Sequence, residues 1–168
     1  MYKKLLKSVR EYKKPTWLTL VFITGEAVIE CLIPFITAGL VNKISANATI
    51  GEVIKTGAIL VLLATVSLAC GALAALTSAK ASAGFAKNLR SDMFRRIQGY
   101  SFYNIDKFSS SSLVTRMTTD ITNVQMAYMM VIRIAVRGPL VLIFSIIMAY
   151  IMGGALATSF VVIIPVLV

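Results

Sequence analysis

The chain has 168 residues, 58% of them hydrophobic and 14% charged, with a mean hydropathy of +0.83. Soluble domains carry about 45–50% apolar and about 25% charged residues, so a disordered tail, a collagen-like chain and an ordinary cytosolic enzyme are excluded. Seventeen Lys and Arg against seven Asp and Glu give a formal charge of +10, but these charges lie between long apolar runs, which points to lipid headgroups and membrane topology rather than to nucleic acid.

The predicted fold class is all-α, with polytopic membrane helices and long cytoplasmic extensions. Residues 1–15 place Tyr2, Leu5, Leu6, Val9 and Tyr12 at helical spacing among lysines. That pattern predicts an amphipathic elbow helix in the membrane interface, in contact with lipid and broken by Pro15. A first span is predicted at about 16–41, and residues 42–53 form a polar connection. A second span covers about 54–77, and the helical pattern continues through a basic stretch (Lys80, Lys87, Arg90, Arg95, Arg96) without a turn signal until Gly99. A third helix starts in the serine run Ser109–Ser112, stays polar to about Met130 and turns apolar over 131–152. Gly153-Gly154 predicts a tight connection, and 155–168 begin a fourth apolar run too short to span a bilayer, for which about 20 residues are needed.

Basic residues set the orientation. Six lie in residues 1–15 and seven in 80–116, against two in 42–55. The positive-inside rule therefore predicts a cytoplasmic N-terminus and a cytoplasmic excursion at 78–130, with 42–53 outside. Roughly 23 helical residues beyond the bilayer carry the connector near 100–110 about 35 Å from it. A connector held there implies contact with something bulky.

That connector contains Phe102-Tyr103, Leu113, Arg116, Asp120 and Val124. The pattern resembles the first intracellular loop of ATP-binding-cassette (ABC) exporters: an aromatic pair, a short coupling helix, then small-Leu-x-x-Arg-x-x-x-Asp opening the third helix. Leu89-Arg90-Ser91-Asp92-Met93-Phe94 is similar to the basic stretch ending that family's second helix. The family's usual Gly-acid pair before the leucine is replaced by Ser111-Ser112. The serine run, together with Arg133-Ile-Ala-Val-Arg137-Gly-Pro139, resembles the multidrug-type subfamily that works as heterodimers.

The resemblance implies the N-terminal part of an exporter half's transmembrane domain in a bacterial plasma membrane. It implies alternating access, a second half-transporter as partner (a heterodimer, with a homodimer as the alternative) and nucleotide-binding domains. Phe102, Tyr103, Asp106, Phe108, Arg116 and Asp120 are the implied coupling residues. ATP and Mg2+ are implied for the full-length protein only, because none of the ten glycines precedes a lysine and the phosphate-binding G-x-x-x-x-G-K-[ST] is absent. The expectation is therefore a partial chain without its nucleotide-binding domain, without a catalytic residue and without a cofactor of its own. The rivals are a non-transporting membrane scaffold and an ion-coupled transporter subunit.

The substrate-cavity candidates are Glu26, Glu30, Thr37 and Arg137. Glu26 and Glu30 sit one turn apart inside the first span, in a stripe with Thr19, Pro34 and Thr37. An ionised side chain at the bilayer centre costs about 2.5–3.5 kcal/mol on insertion scales, so both must face protein or a wet cavity. They read either as a cavity wall favouring cationic or polar cargo or as a structural pair bonded to neighbouring helices. Arg137, a turn deeper than a snorkelling Arg133, is within reach of Glu26. Ser67, Gly71, Ala75, Ala79 and Ala83 recur every four residues and predict close helix packing without chemistry. Cys31 and Cys70 lie in apolar runs and there is no histidine, so neither a disulfide framework nor a metal site is expected.

Overall fold

The computed structural model describes residues 7–46, 49–100 and 109–153. These residues form helices and short connections. A 3-10 helical segment at Lys7–Tyr12 leads into α1 (Lys13–Ser45), and α2 runs over Ile50–Gln98. The third rod is built from α3 (Ser110–Thr115), a π-helical turn at Arg116–Asp120, α4 (Ile121–Met130), a second π-helical turn at Val131–Ala135, and α5 (Val136–Gly153). Three helical stretches, Ser8–Ser45, Ile50–Gln98 and Ser111–Gly153, are each long and apolar enough to cross a membrane. The all-α expectation for a polytopic membrane chain is met.

Local chemistry sets the boundaries. The N-terminal segment bends at Arg10, whose φ of 39° lies in the left-handed region, and not at Pro15. Pro15 falls in the first turn of α1, where no intrahelical donor is needed and its ring costs nothing. The polar connection after α1 is shorter than 42–53, because the helix continues to Ser45 and α2 begins at Ile50. Ser109 caps α3, its hydroxyl accepting from the Ser112 amide at 3.4 Å. Pro139 has no N–H to donate to the carbonyl of Ala135, where the second π-helical turn ends.

The described residues fall into two compact units. One comprises 7–20 with 74–134. Its interface is made of small side chains: Ala74, Ser78, Ala81, Ser82 and Ala86 are all buried, which lets backbones approach closely. Phe85 stacks on Tyr128 with ring centroids 4.7 Å apart, and Ile121 and Ile132 complete the core. Thr19 is fully buried, its hydroxyl 2.8 Å from the Pro15 carbonyl and 2.9 Å from Thr77 Oγ1.

The packed face of α2 differs from the predicted four-residue stripe. Ala79 and Ala83 are exposed, whereas Ala74, Ser78, Ala81, Phe85 and Asn88 are buried. With 3.6 residues per turn, a strict step of four drifts about 40° each time and leaves the interface within a few steps. Alternating steps of four and three stay on one face.

The other unit comprises 21–73 with 135–153. Ile23 and Ala27 are buried in it, while Val61, Leu62, Leu68, Ile143, Ile147 and Ile151 are exposed. Such continuous exposed apolar surface is costly in water and suits contact with lipid or with further helices.

Candidate functional site: a Glu–Arg–Glu cluster in the apolar helices

Glu26 and Glu30 lie one helical turn apart on α1, and Arg137 is the second residue of α5. All three belong to the same unit. Arg137 Nη1 donates to Glu26 Oε1 at 3.2 Å, and Nη2 donates to Glu30 Oε1 at 2.5 Å. One planar guanidinium thus bridges two carboxylates, a use of the arginine fork that a lysine cannot reproduce. With all three groups ionised the cluster carries one net negative charge.

The two carboxylates are not equivalent. The Glu26 side chain is 14% exposed, against 38% for Glu30 and 36% for Arg137. Glu26 also faces α2 at Gly71, where an added Cβ would lie 2.9 Å from Glu26 Oε1. One residue earlier on each helix, Cys70 Sγ lies 3.8 Å from where a Cβ of Gly25 would sit, an ordinary van der Waals distance, so the close approach is at Gly71.

Two prolines flank the cluster. Pro34 has no N–H to give the carbonyl of Glu30, its partner four residues back. Pro139 does the same to Ala135, two residues before Arg137. Thr37, the fourth cavity candidate, does not join the cluster. It is exposed, and its hydroxyl donates to the Ile33 carbonyl at 2.8 Å. No group of three or more His, Cys, Asp or Glu suited to a metal occurs among the described residues.

Residues 16–168 match the family described as the ABC transporter transmembrane region. The chain belongs to that family. It is similar to an uncharacterized ABC transporter ATP-binding protein of Bacillus subtilis, 28% identical over 165 residues, which cover 98% of this chain and 29% of the relative. An uncharacterized ABC transporter ATP-binding protein of Mycobacterium tuberculosis is 24% identical over 163 residues, covering 97% of this chain and 28% of the relative. The chain thus spans under a third of the length of these curated relatives.

Of the residues expected to serve coupling, Phe102, Tyr103, Asp106 and Phe108 lie outside the described residues. Arg116 and Asp120 are described and exposed, and they form no ion pair with each other. The π-helical turn that holds both departs from the α-helical spacing on which an i,i+4 pair relies.

Two structural features of the ABC region have only faint sequence signals. Gly71 stands in the stripe of small residues, and nothing marks it as the place where a carboxylate sits. The other is a clasp around Asp92, a lone acid in a basic stretch. Ser8 Oγ donates to Asp92 Oδ2 at 2.9 Å, and Arg10 Nη2 donates to Oδ1 at 2.8 Å. Asn88 Nδ2 donates to the Ser8 carbonyl at 2.9 Å, buried. These bonds tie the segment before α1 to α2.

Proposed function

We propose that the chain is the N-terminal part of the membrane domain of an ATP-driven ABC exporter of the multidrug type. It lines part of the cargo pathway and carries a coupling loop to a nucleotide-binding domain. The observation that carries this reading is the length of α2. At 49 residues it is more than twice the roughly 20 that a bilayer requires, in a chain of the ABC transmembrane family. The surplus is the basic part of the helix, which suits a stiff lever in the cytoplasm. Residues 78–98 contain no proline and only one glycine, Gly84, and sharp kinks need such residues or a break in the helical ladder.

The N-terminus and the 78–130 excursion are cytoplasmic in this reading, in a bacterial plasma membrane. Residues 101–108 form the coupling helix, with Phe102, Tyr103, Asp106, Phe108, Arg116 and Asp120 serving the contact. A second half-transporter, in a heterodimer, completes the pathway, and ATP with Mg2+ is bound by the nucleotide-binding domains of the full-length protein. Glu26, Glu30 and Arg137 face the pathway. Their ion-paired placement in an apolar unit supports this, since intramembrane charge without such a role is rarely retained.

The test is cargo-stimulated ATP hydrolysis by the full-length protein in membranes. Tyr103→Ala lowers the stimulation while membrane insertion is unchanged. Stimulation equal to the wild type refutes the coupling role.

A further inference from the structure

We infer that Arg137 is the specificity-determining residue of the cargo site, acting as a tethered cation that an organic monocation with N–H donors must displace from Glu30. This rests on the reading of the cluster as part of the cargo pathway.

Two observations carry it. The cluster already holds a guanidinium, with the shorter contact to Glu30 at 2.5 Å and the longer to Glu26 at 3.2 Å. Glu26 is enclosed, with Gly71 leaving room for its carboxylate, whereas Glu30 and Arg137 are each more than a third exposed. Glu26 therefore serves as the fixed anchor, and Glu30 is the exchangeable partner. A protonated amine or guanidinium replaces both the charge and the hydrogen bond that Arg137 gives Glu30, and an aprotic cation only the charge.

The exchange balances in charge. Arg137 keeps its pairing to Glu26, and the incoming monocation takes Glu30, so two cations face two carboxylates. A neutral molecule of the same shape gains no ion pair and leaves Arg137 where it is. Arg137 thereby sets a threshold that only a cation with comparable donors crosses.

Binding of octylguanidinium, with the near-isosteric neutral octylurea as control, tests this in the full-length protein in nanodiscs without nucleotide. Octylguanidinium is expected to bind the wild type at least tenfold more tightly than octylurea. Arg137→Gln removes the competitor and should tighten octylguanidinium binding about tenfold. Glu30→Gln should abolish the preference, and Glu26→Gln should weaken binding, because Arg137 then pairs with Glu30 alone. If Arg137→Gln does not fold, Arg137→Lys keeps the charge without the fork and should tighten binding by a smaller factor. Weaker binding in both Arg137 variants, or an unchanged preference in Glu30→Gln, overturns the inference and leaves the exporter reading standing. The exporter reading fails separately, if the same protein shows no cargo-stimulated ATP hydrolysis.

Discussion

Gly71 on α2 faces the carboxylate of Glu26 on α1 so closely that a methyl group at the glycine would lie 2.9 Å from Oε1 and 3.2 Å from Cδ. No real side chain tolerates that distance without movement, and the group that must move is one anchor of the Arg137 bridge. Packing and charge placement are thus the same contact. A glycine chosen for helix approach also fixes where the carboxylate sits.

Gly71→Ala should therefore disturb the ion cluster although it changes no charge. The carboxylate is the far end of a flexible side chain and can swing aside, so the cost falls on its 3.2 Å contact to Arg137, which is lost. We expect a lower Tm in detergent. The loss should be smaller in a Gly71→Ala/Glu26→Gln background, because neighbours that share a contact are non-additive. Additive losses would show that the glycine and the carboxylate do not communicate.

The clasp at Asp92 separates charge from hydrogen bonding. Asp92→Asn keeps an acceptor for Ser8 and loses the Arg10 pair, which is 54% exposed on the arginine side. Exposed pairs contribute about 0–1 kcal/mol and weaken with salt. Asp92→Ala loses both bonds, and hydrogen bonds to charged groups contribute about 1.5–3 kcal/mol. The expected order of trypsin cleavage after Lys13, the Lys14–Pro15 bond being resistant, is Asp92→Ala fastest, then Asp92→Asn, then wild type. High salt should narrow the gap between the last two. Equal rates in all three would remove the clasp as an anchor of the N-terminal segment.

Orientation in the membrane is tested with single cysteines in a protein whose Cys31 and Cys70 are replaced by alanine. Six basic residues in 1–15 and seven in 80–116, against two in 42–55, favour an external connection between α1 and α2. A cysteine at Thr49 should react with a membrane-impermeant maleimide in intact cells. One at Ser111, exposed in α3, should react only after permeabilisation. The reverse pattern would invert the topology and place the basic excursion outside.

The helices and the charged cluster were legible because both follow from short-range rules. Apolar runs of bilayer length announce spans, and carboxylates at 26 and 30 inside one demand a partner, which Arg137 supplies at 3.2 and 2.5 Å. What was not legible depends on which face of one helix meets another. The small-residue stripe through Ala79 and Ala83 turns away from the interface because four is not the helical period. The bend at Arg10 arises where Asn88 and Asp92 of α2 hold Ser8 and Arg10, and no local residue preference signals it. Pro15 draws attention as a breaker, yet in a first turn it breaks nothing.

Gly84 gives a second test of how closely the N-terminal segment packs on α2. It is buried, and a Cβ built there clashes with one edge of the Tyr12 ring, at Cδ1, Cε1 and Cγ. The ring cannot retreat freely, since the clasp residues Ser8 and Arg10 hold its segment four and two positions away. Gly84→Ala should therefore destabilise by about 1–3 kcal/mol, even though alanine is the better helix former by about 1 kcal/mol. Tyr12→Ala removes the obstacle. In that background Gly84→Ala should become neutral or mildly stabilising, so the sign of one substitution depends on the other. Unfolding of the four proteins of this double-mutant cycle measures the coupling directly. A coupling energy near zero would mean that the N-terminal segment does not rest on α2 at Gly84.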